Sequence, residues 1–586
     1  MRPVRPHGSQ SEDRSAVPAV PAVRIACRLA GLLLTFAAHA AAPVLDTLFP
    51  AAVQLGTTHA VVAVGKAEPW PPKVWVDAPG IRFEPTTNSG TFSVVIAPDA
   101  PVGPHLVRVF NDDGASAPRF LVVTRAPQTA EVEPDDDFTK PQPIATLPSS
   151  INGRLEKSGD VDSFAVELTA GQTLVASVEA YTLMSPLDAV LRLVDARGVV
   201  LAMEHDDGRT FDPLLTWTAR SAGRHIVQVF GFAYPAESEV RFTGNAKCVY
   251  RLHLSVGPVV SHTVPLGVRR GVRTPLRVFG WNLGKDVDRE VVSDVVPAAS
   301  AATRTEFLFP GADRAVVLPV GDGPESVESE PNGTPAQANQ IEIPGAVTGR
   351  IAEAGDEDRF VFKAKKDEKL SVEVRSAAFG FPLDAWLKVE DMAGKELAKS
   401  DDSTGADPGL VWSAPADGEF VLAVGNLVHR GGPDHLYRLA IARPVASMKA
   451  TVAADGFVVE PGKTNEVKVS IARQHGFAAK LVVSVKGLPA SVKSAPVEVA
   501  EAGAEAVLKW IADVDAKPSA GPVEIVLAET GPGREHRAAY ELATTGENNG
   551  VPQGFKQLVI GSIEKLWLTV PPPPAPKTDA KAEVKK

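Results

Sequence analysis

Short segments in which apolar and polar residues alternate fill most of this chain, and long helical periodicity is scarce. In residues 174–179, 370–375 and 466–471, for example, apolar residues return at every second position. Successive side chains of a β-strand point to opposite faces, so this pattern predicts half-buried strands. Gly, Pro and Asp clusters separate the segments, as is typical of turns. The pattern therefore predicts an all-β protein built from antiparallel strands.

The length and composition predict several packed domains. A chain of 586 residues is too long for one hydrophobic core, and a prior of roughly 150 residues per domain suggests about four domains. The 50 prolines exceed the usual share of about 5%. Hydrophobic residues make up 44% of the chain, which is enough for packed cores. We expect a string of β domains, with disorder confined to the ends.

One sequence pattern occurs twice in the same order and with closely similar spacing. Each copy has an acidic segment, a Gly-Arg step, a Gly-Asp-x-Asp-x-Phe turn, a Pro-Leu-Asp tripeptide, a tryptophan and a Tyr-Arg-Leu strand. The first copy places them at 131–138, 153–154, 159–164, 186–188, Trp217 and 250–252, and the second at 328–334, 349–350, 355–360, 382–384, Trp412 and 437–439. The spacing from Asp162 to Asp188 is identical to that from Asp358 to Asp384. The chain therefore contains a duplicated domain.

The predicted fold class is all-β, with tandem β-sandwiches in which two jelly-roll-like domains alternate with three smaller sandwiches. About eight strands in some 120 residues of each long repeat favour the jelly roll. The predicted boundaries are a signal peptide at 1–40, a small sandwich at 43–125, the first long repeat at 130–257, a short module at 258–322, the second long repeat at 326–444, a further sandwich at 446–570 and a disordered Pro/Lys-rich tail at 571–586.

The N-terminal segment 1–40 has the features of an export signal. Arg24 and Arg28 precede the apolar stretch 29–38, and Ala38-His39-Ala40 supplies a small-x-small cleavage pattern. The stretch is shorter than the roughly 20 apolar residues that cross a bilayer. A buried helix of a folded domain is the alternative. Since no second hydrophobic run follows, we expect an exported protein without a transmembrane segment, located in the periplasm, on the cell surface or in the medium.

The cysteine content bears on disulfide formation, and the net charge bears on which ligands the chain can bind. Cys27 lies in the signal segment, which leaves Cys248 without a partner, so we expect no internal disulfide and a buried thiol. The formal charge is −11, and residues 1–40 carry five Arg against one Glu and one Asp, so the remainder carries −14. Nucleic-acid binding needs a basic surface, so the chain is not expected to bind nucleic acid.

An acidic segment opens the first long repeat. On an extended segment alternate residues share a face, so Glu131, Glu133 and Asp135 can point the same way. Asp160 and Asp162 arrive on a turn further along the chain. Because Ca²⁺ takes six to eight oxygen ligands, several of them carboxylates, this set predicts a calcium site. The alternative is a solvated linker beside an ordinary turn.

The shared motifs of the long repeats resemble the bacterial pre-peptidase C-terminal domain. This family is a β-sandwich that accompanies secreted proteases, and it includes the collagen-binding domains of clostridial collagenases. The resemblance covers 130–257 and 326–444, less than half of the chain. The flanking modules are similar, more weakly, to immunoglobulin-like or IPT/TIG-type domains. The whole arrangement is similar to exported multidomain proteins of planctomycete-type bacteria.

The resemblance implies which residues bind the metal, because the matching acidic segment and turn bind calcium in the collagen-binding relatives. In the first copy it implicates Glu131, Glu133, Asp135, Asp136 and Asp160, with Asp162 as a further candidate. In the second copy it implicates Glu328, Glu330, Asn332, Asp356 and Asp358. Gly333 and Thr334 stand where the first copy has acids, so we expect weaker or absent binding there.

The sequence contains no His-Glu-x-x-His, Gly-x-Ser-x-Gly, Walker or Cys-x-x-Cys motif. The consecutive acids 206–207 and 401–402 are expected to serve turns, because neighbouring side chains of a strand diverge. We therefore predict a non-catalytic, adhesion-type protein that engages an extracellular or envelope protein or polysaccharide. The alternatives are a structural spacer or scaffold of a cell-envelope complex and an accessory subunit of a secreted peptidase.

Overall fold

The computed structural model describes residues 41–207, 210–234, 240–284, 291–312, 314–403, 407–531, 533–543 and 559–573. The predicted signal peptide, and the predicted tail beyond residue 573, lie outside the described residues. Within them the regular structure is β-strand apart from two single-turn 3₁₀ helices, Tyr181–Leu183 and Ala377–Phe379. The all-β prediction is confirmed.

Eight strands form the first small sandwich. They are β1 (Val44–Phe49), β2 (Ala52–Gln54), β3 (Thr58–Lys66), β4 (Lys73–Val76), β5 (Ile81–Pro85), β6 (Thr91–Ile96), β7 (Gly103–Phe110) and β8 (Arg119–Thr124). One sheet has the order β1-β3-β6-β5 and the other β2-β8-β7-β4. Alternate side chains of β6, such as Phe92 and Val94, are buried in the core, while their neighbours are partly exposed.

The first long repeat forms two five-stranded sheets. Its strands are β9 (Gln128–Ala130), β10 (Gln142–Pro143), β11 (Ser149–Arg154), β12 (Asp162–Leu168), β13 (Thr173–Glu179), β14 (Leu187–Asp195), β15 (Val200–Glu204), β16 (Leu214–Thr218), β17 (Gly223–Ala233) and β18 (Val249–Ser255). The sheet orders are β16-β13-β18-β11-β9 and β10-β12-β17-β14-β15. The eight strands β11–β18 thus follow the jelly-roll order, and the short β9 and β10 add a parallel edge to each sheet.

A shorter module follows. Its strands are β19 (Val259–Val264), β20 (Val268–Arg269), β21 (Pro275–Trp281), β22 (Val291–Val292), β23 (Arg304–Phe307) and β24 (Val316–Gly321). They pair in the orders β19-β21-β22 and β20-β24-β23 around a small core that includes Leu276 and Val278.

The second long repeat copies the first strand for strand. Its strands are β25 (Glu325–Val327), β26 (Asn339–Gln340), β27 (Gly345–Arg350), β28 (Glu357–Ala364), β29 (Lys369–Arg375), β30 (Ala385–Asp391), β31 (Glu396–Ser400), β32 (Gly409–Ser413), β33 (Gly418–Asn426) and β34 (Leu436–Ala442). The orders β25-β27-β34-β29-β32 and β26-β28-β33-β30-β31 reproduce those of the first repeat. The duplication seen in the sequence is therefore a duplication of fold.

The last module is one hydrogen-bonded network around a single core with Trp510 at its centre. Its strands are β35 (Ser447–Val452), β36 (Gly456–Val458), β37 (Thr464–Gln474), β38 (Leu481–Lys486), β39 (Val492–Lys493), β40 (Val497–Val499), β41 (Glu505–Ala512), β42 (Ser519–Glu529), β43 (Glu535–Ala543), β44 (Val559–Ile563) and β45 (Leu566–Val570). The order β36-β45-β42-β43-β35-β37-β41-β39 runs continuously, with β38, β40 and β44 attached to it.

Each jelly roll is hydrogen-bonded to the small module that precedes it, and the bond lies at the same position in both copies. The Asn152 side chain accepts a hydrogen bond from the backbone N–H of Ala52 (2.9 Å). At the equivalent position of the second jelly roll, the Thr348 hydroxyl accepts one from the N–H of Leu266 (2.8 Å). The junction between a small module and the following jelly roll thus uses a hydrogen bond at the same position of the jelly roll in both copies. The exact domain limits stay predictions.

Candidate metal centres

An acidic segment, a turn and a strand meet at one end of the first jelly roll. Beyond β9 the chain stays beside β11, because the N–H of Glu131 donates to the carbonyl of Asn152 (3.0 Å). The turn at 159–162 leads into β12, whose first residue is Asp162. Strand β18 brings the Tyr250 ring beneath both. Side chains from these three segments thus share one small volume.

Glu133, Asp135 and Asp162 form the inner cluster of this site. Each offers one carboxylate oxygen, and these three oxygens all lie within 4.8 Å of one another. Calcium–oxygen distances of 2.3–2.6 Å place two ligands of one ion at most about 5 Å apart. The donor set contains oxygen alone, which favours a hard cation such as Ca²⁺ or Mg²⁺. The cluster could therefore hold a metal ion.

Four oxygens of the inner carboxylates lack a hydrogen-bond donor among the described residues. Asp135 is 2% exposed, and neither of its carboxylate oxygens has a donor among the described residues. The same holds for Oδ1 of Asp162, which is fully buried, and for Oε1 of Glu133. A buried polar atom without a partner is costly, and a buried charge costs more. A bound cation would supply the missing interaction at all four oxygens.

Glu131 and Tyr250 hold this cluster in place. The Tyr250 hydroxyl donates to Oδ2 of Asp162 (2.5 Å) and lies 3.2 Å from Oε2 of Glu131. Both oxygens of Glu131 accept the backbone N–H of Arg154, at 2.7 and 2.8 Å. Gly153 makes room, since a Cβ there would lie 2.1 Å from Cζ of Tyr250. Glu131 is therefore a supporting residue with its charge directed at the cluster.

Asp136 and Asp160 lie on the outer side of the cluster. Asp160 is fully buried, and its Oδ2 accepts the backbone N–H of Glu156. The Lys157 ammonium lies 2.9 Å from Oδ2 of Asp136 and 3.3 Å from Oδ1 of Asp160. The structure thus brings both predicted ligands near the site, but other groups of the chain already engage them. Their assignment as ligands stays a prediction.

Burial and mutual repulsion raise the pKa values of these acids. Desolvation, followed by repulsion from Glu133 and Glu131, raises the pKa of Asp135 to about 8. Desolvation and the charge of Glu131 raise the pKa of Asp162 to about 10. Desolvation also raises the pKa of Glu131 to about 7. Without a cation the site therefore holds protons near neutral pH, and a divalent ion would compete with them.

The second jelly roll repeats this design with Glu328, Glu330 and Asp358. Their ligand atoms also lie within 4.8 Å of one another. The Tyr437 hydroxyl donates to Oδ2 of Asp358 (2.6 Å), and the Arg350 N–H donates to Oε1 of Glu328 (2.6 Å). Desolvation, then the charge of Glu328, raises the pKa of Asp358 to about 9. Glu330 and Asp358 match Glu133 and Asp162, whereas Glu328 matches the supporting Glu131, so the two clusters share two of their three members.

The second cluster has fewer charges, as the sequence predicts. Asn332 takes the place of Asp135 and is fully buried, with its Nδ2 donating to Oε2 of Glu328 (3.2 Å). Its Oδ1 has no donor among the described residues and remains available as a neutral ligand. Asp356 is half-buried and accepts the Ala352 N–H (2.8 Å).

Sequence reasoning missed the tyrosines and glycines of the sites. Tyr250 and Tyr437 are fully buried, and a Cβ on Gly349 would lie 2.3 Å from the Tyr437 ring, matching Gly153. All four residues recur in register in the two copies. That recurrence was the available signal, but a tyrosine on an apolar strand is more simply explained as core.

Other acidic residues of the repeats support the backbone. Asp212 accepts the N–H groups of residues 180–182, and Asp407 those of residues 376–378. Each therefore anchors the 3₁₀ turn of its jelly roll. Asp207 accepts the N–H of Thr210 (2.7 Å), as expected of a turn residue. These contacts give the carboxylates structural roles.

The repeat tryptophans differ in their surroundings. Trp412 packs into the core of the second jelly roll. Trp217 is partly buried, and with Trp281 and Arg220 it lines a cavity of about 440 Å³ where the first jelly roll meets the next module. This cavity offers aromatic and cationic groups side by side.

The fold and these clusters define a class, a tandem β-sandwich protein with two acidic clusters that could hold metal ions. No protein-family model matches the sequence. Over 101 residues the chain is 36% identical to a probable subtilase-type serine protease of Deinococcus radiodurans, a match that covers 17% of this chain and 14% of that protein. The chain thus spans a small part of the curated relative it matches. The pre-peptidase resemblance stays a prediction.

Solved structures give weaker likenesses. Fibronectin(III)-like modules of Clostridium thermocellum CbhA are 9% identical, covering 36% of this chain and 90% of theirs, with a TM-score of 0.11. Escherichia coli alpha-2-macroglobulin is 11% identical, covering 89% and 52%, with a TM-score of 0.13. TM-scores this low do not indicate a shared function. Among the described residues, we find no helix long and apolar enough to cross a bilayer.

Proposed function

We propose that this chain is an exported, non-catalytic binding protein whose two jelly rolls each bind calcium. In this proposal it engages an extracellular or envelope protein or polysaccharide. One observation carries the calcium assignment: in each copy, carboxylates converge within 4.8 Å, and buried oxygens among them lack donors. Export rests on the pattern of residues 24–40. The resemblance to calcium-binding collagen-binding domains supports the choice of ion.

The cavity beside Trp217 supports a ligand-binding role. Aromatic side chains combine a large apolar face with a polar edge, and such groups are common where sugars or peptide side chains bind. Trp281 and the Arg220 guanidinium line the same cavity. Trp412 is buried, so the two copies differ here. We therefore assign ligand contact to the first jelly roll and its neighbour.

The second candidate function is that of an accessory subunit of a secreted peptidase. The observation that favours it is the 36% identity over 101 residues with a probable subtilase-type protease. A spacer or scaffold role would need no ligand of its own. Titration with a soluble polysaccharide and with an extracellular protein such as collagen, on wild type and on Trp217→Ala, separates these candidates. Binding that Trp217→Ala abolishes supports the ligand-binding role, and no binding to any probe favours the spacer.

Calcium titration of the full chain tests the metal assignment. We expect two ions per chain by calorimetry, with dissociation constants between about 10⁻⁶ and 10⁻³ M. Calcium at 100 times the dissociation constant should raise the free energy of unfolding by about 2.7 kcal/mol for each site. The double variant Asp162→Asn/Asp358→Asn should lose both effects.

Asp112→Asn is the matched control, because Asp112 is an exposed acid of the first small sandwich, where it pairs with Lys73. It should keep both ions and the full rise in melting midpoint. A wild-type midpoint that responds neither to calcium nor to chelator would remove the metal assignment.

A further inference from the structure

A lysine lies over the outer carboxylates of the first metal cluster. The Lys157 ammonium is 2.9 Å from Oδ2 of Asp136 and 3.3 Å from Oδ1 of Asp160. Its side chain is 60% exposed, whereas that of Asp160 is fully buried. Lys157 is therefore a surface cation whose charged end reaches a buried acid.

The second jelly roll lacks this contact. Glu353 occupies the position of Lys157, three residues before the Asp of the turn, and Gly333 occupies that of Asp136. Both partners of the ion pair are thus replaced together. The buried tyrosine and the aspartate that it bonds are alike in the two sites. The loss of this ion pair is therefore a difference on the outer side of the cluster, in addition to the exchange of Asp135 for Asn332.

Asp160 lies next to the inner cluster, because it is fully buried and precedes Asp162 by two residues on the turn into β12. A divalent ion among Glu133, Asp135 and Asp162 would be attracted by Asp160 and Asp136 as well. An ammonium on those two acids cancels part of that attraction and repels the ion directly. To gain either acid as a ligand, the ion must first displace the lysine.

We propose that Lys157 is a built-in competitor for the metal, which lowers the calcium affinity of the first jelly roll below the value that its carboxylates alone would give. This inference rests on the proposed calcium function. As a consequence, the first jelly roll need not bind calcium more tightly than the second, although it has more acidic residues. The lysine would tune the first site so that it responds at higher calcium concentration.

Calorimetric titration in a background without the second site isolates this effect. With Glu328→Gln and Asp358→Asn in place, Lys157→Gln should tighten calcium binding about tenfold, because one unit charge beside a divalent ion is removed. Lys140→Gln is the control. Lys140 is an exposed lysine whose charge acts on Asp137, an acid outside the inner cluster. Circular dichroism would verify that each variant is folded.

The reciprocal change tests the same idea in the other copy. Where Asp162→Asn disables the first site, Glu353→Lys should weaken calcium binding at the second site by a similar factor. If the background protein binds calcium and Lys157→Gln binds no more tightly than Lys140→Gln, the competitor role is wrong and the calcium function stands. If no variant binds calcium at either site, the proposed function itself fails.

Discussion

The two jelly rolls have the same strand order and the same buried tyrosine–aspartate pair, yet they differ in the acids around that pair. Tyr250 and Tyr437 each donate to a buried aspartate at the beginning of the equivalent strands β12 and β28, Asp162 or Asp358. By contrast, Asp136 is replaced by Gly333 in the second copy. The buried Asp135 is likewise replaced by Asn332, so the retained pair is the tyrosine and the aspartate that it bonds, while two neighbouring acids are exchanged.

Some residues of the sites maintain the fold around the cluster, whereas others affect only the affinity for an ion. A tyrosine that is fully buried and bonded to a buried acid cannot be exchanged without leaving an unpaired polar group, which costs about 1–3 kcal/mol. A half-exposed residue such as Lys157 can change at little cost to folding. Ion affinity can therefore diverge between the copies while the cage that holds the ion stays the same.

The largest expected effect comes from filling the space beside the tyrosine. In Gly349→Ala the new Cβ would lie 2.3 Å from Cζ of Tyr437 and 2.8 Å from Oε2 of Glu328. The ring and the carboxylate must both move, so we expect a loss of about 3 kcal/mol in the free energy of unfolding of this domain. Gly153→Ala should do the same in the first jelly roll.

Gly418→Ala is the matched control, because a Cβ there meets nothing within 4 Å in the same domain. Chemical denaturation followed by hydrogen exchange of peptides from each jelly roll would measure the loss domain by domain. Equal stability of the Gly349 and Gly418 variants would contradict the close approach of ring and backbone.

The second prediction concerns pH in the absence of metal. The pKa values of Asp135 and Asp162 are raised to about 8 and about 10 by burial and neighbouring charge. The folded state thus binds protons that the unfolded state releases near pH 4, and the resulting stability is lost as pH rises from about 4 to 10. Each released proton changes the free energy of unfolding by at most about 1.4 kcal/mol per pH unit.

The pH effect should be steeper in the first jelly roll. Three of its acids have pKa values raised to between about 7 and 10, against two in the second, Glu328 at about 7 and Asp358 at about 9. Hydrogen exchange in chelator between pH 5 and 9, corrected for intrinsic rates, would report both domains in one sample. Calcium should flatten or reverse the slope, and a metal-free protein that becomes more stable with rising pH would refute the assignment.

Much of this molecule could be predicted from sequence. Alternation indicated the strands, and anchors such as Asp188 and Asp384, which follow their turns at the same spacing, revealed two copies of one fold. The burial of Cys248 is also confirmed. The short parallel strands β9 and β10 were missed, because strands of so few residues show no periodicity.

The candidate site was predicted only in part. Alternation along the chain predicted that Glu133 and Asp135 lie together, but their approach to Asp162 depends on the pairing of β9 with β11 and on the position of β12 in the other sheet. Local sequence holds no information on that distance. For the same reason, sequence could not show that Asp160 is engaged by Glu156 and Lys157.

The smallest expected effect is an exchange of the residues that distinguish the inner clusters. Asp135→Asn should give the first site the neutral ligand of the second and weaken calcium binding there about tenfold, as one carboxylate charge is lost. Asn332→Asp should strengthen the second site by a comparable factor, since its Oδ1 already lies buried without a donor among the described residues. Calorimetry on each single variant, with the opposite site disabled by Asp358→Asn or Asp162→Asn, would measure both changes. If only the first exchange has its expected effect, position 332 is not a ligand in the second copy, and that site is built from Glu328, Glu330 and Asp358 alone.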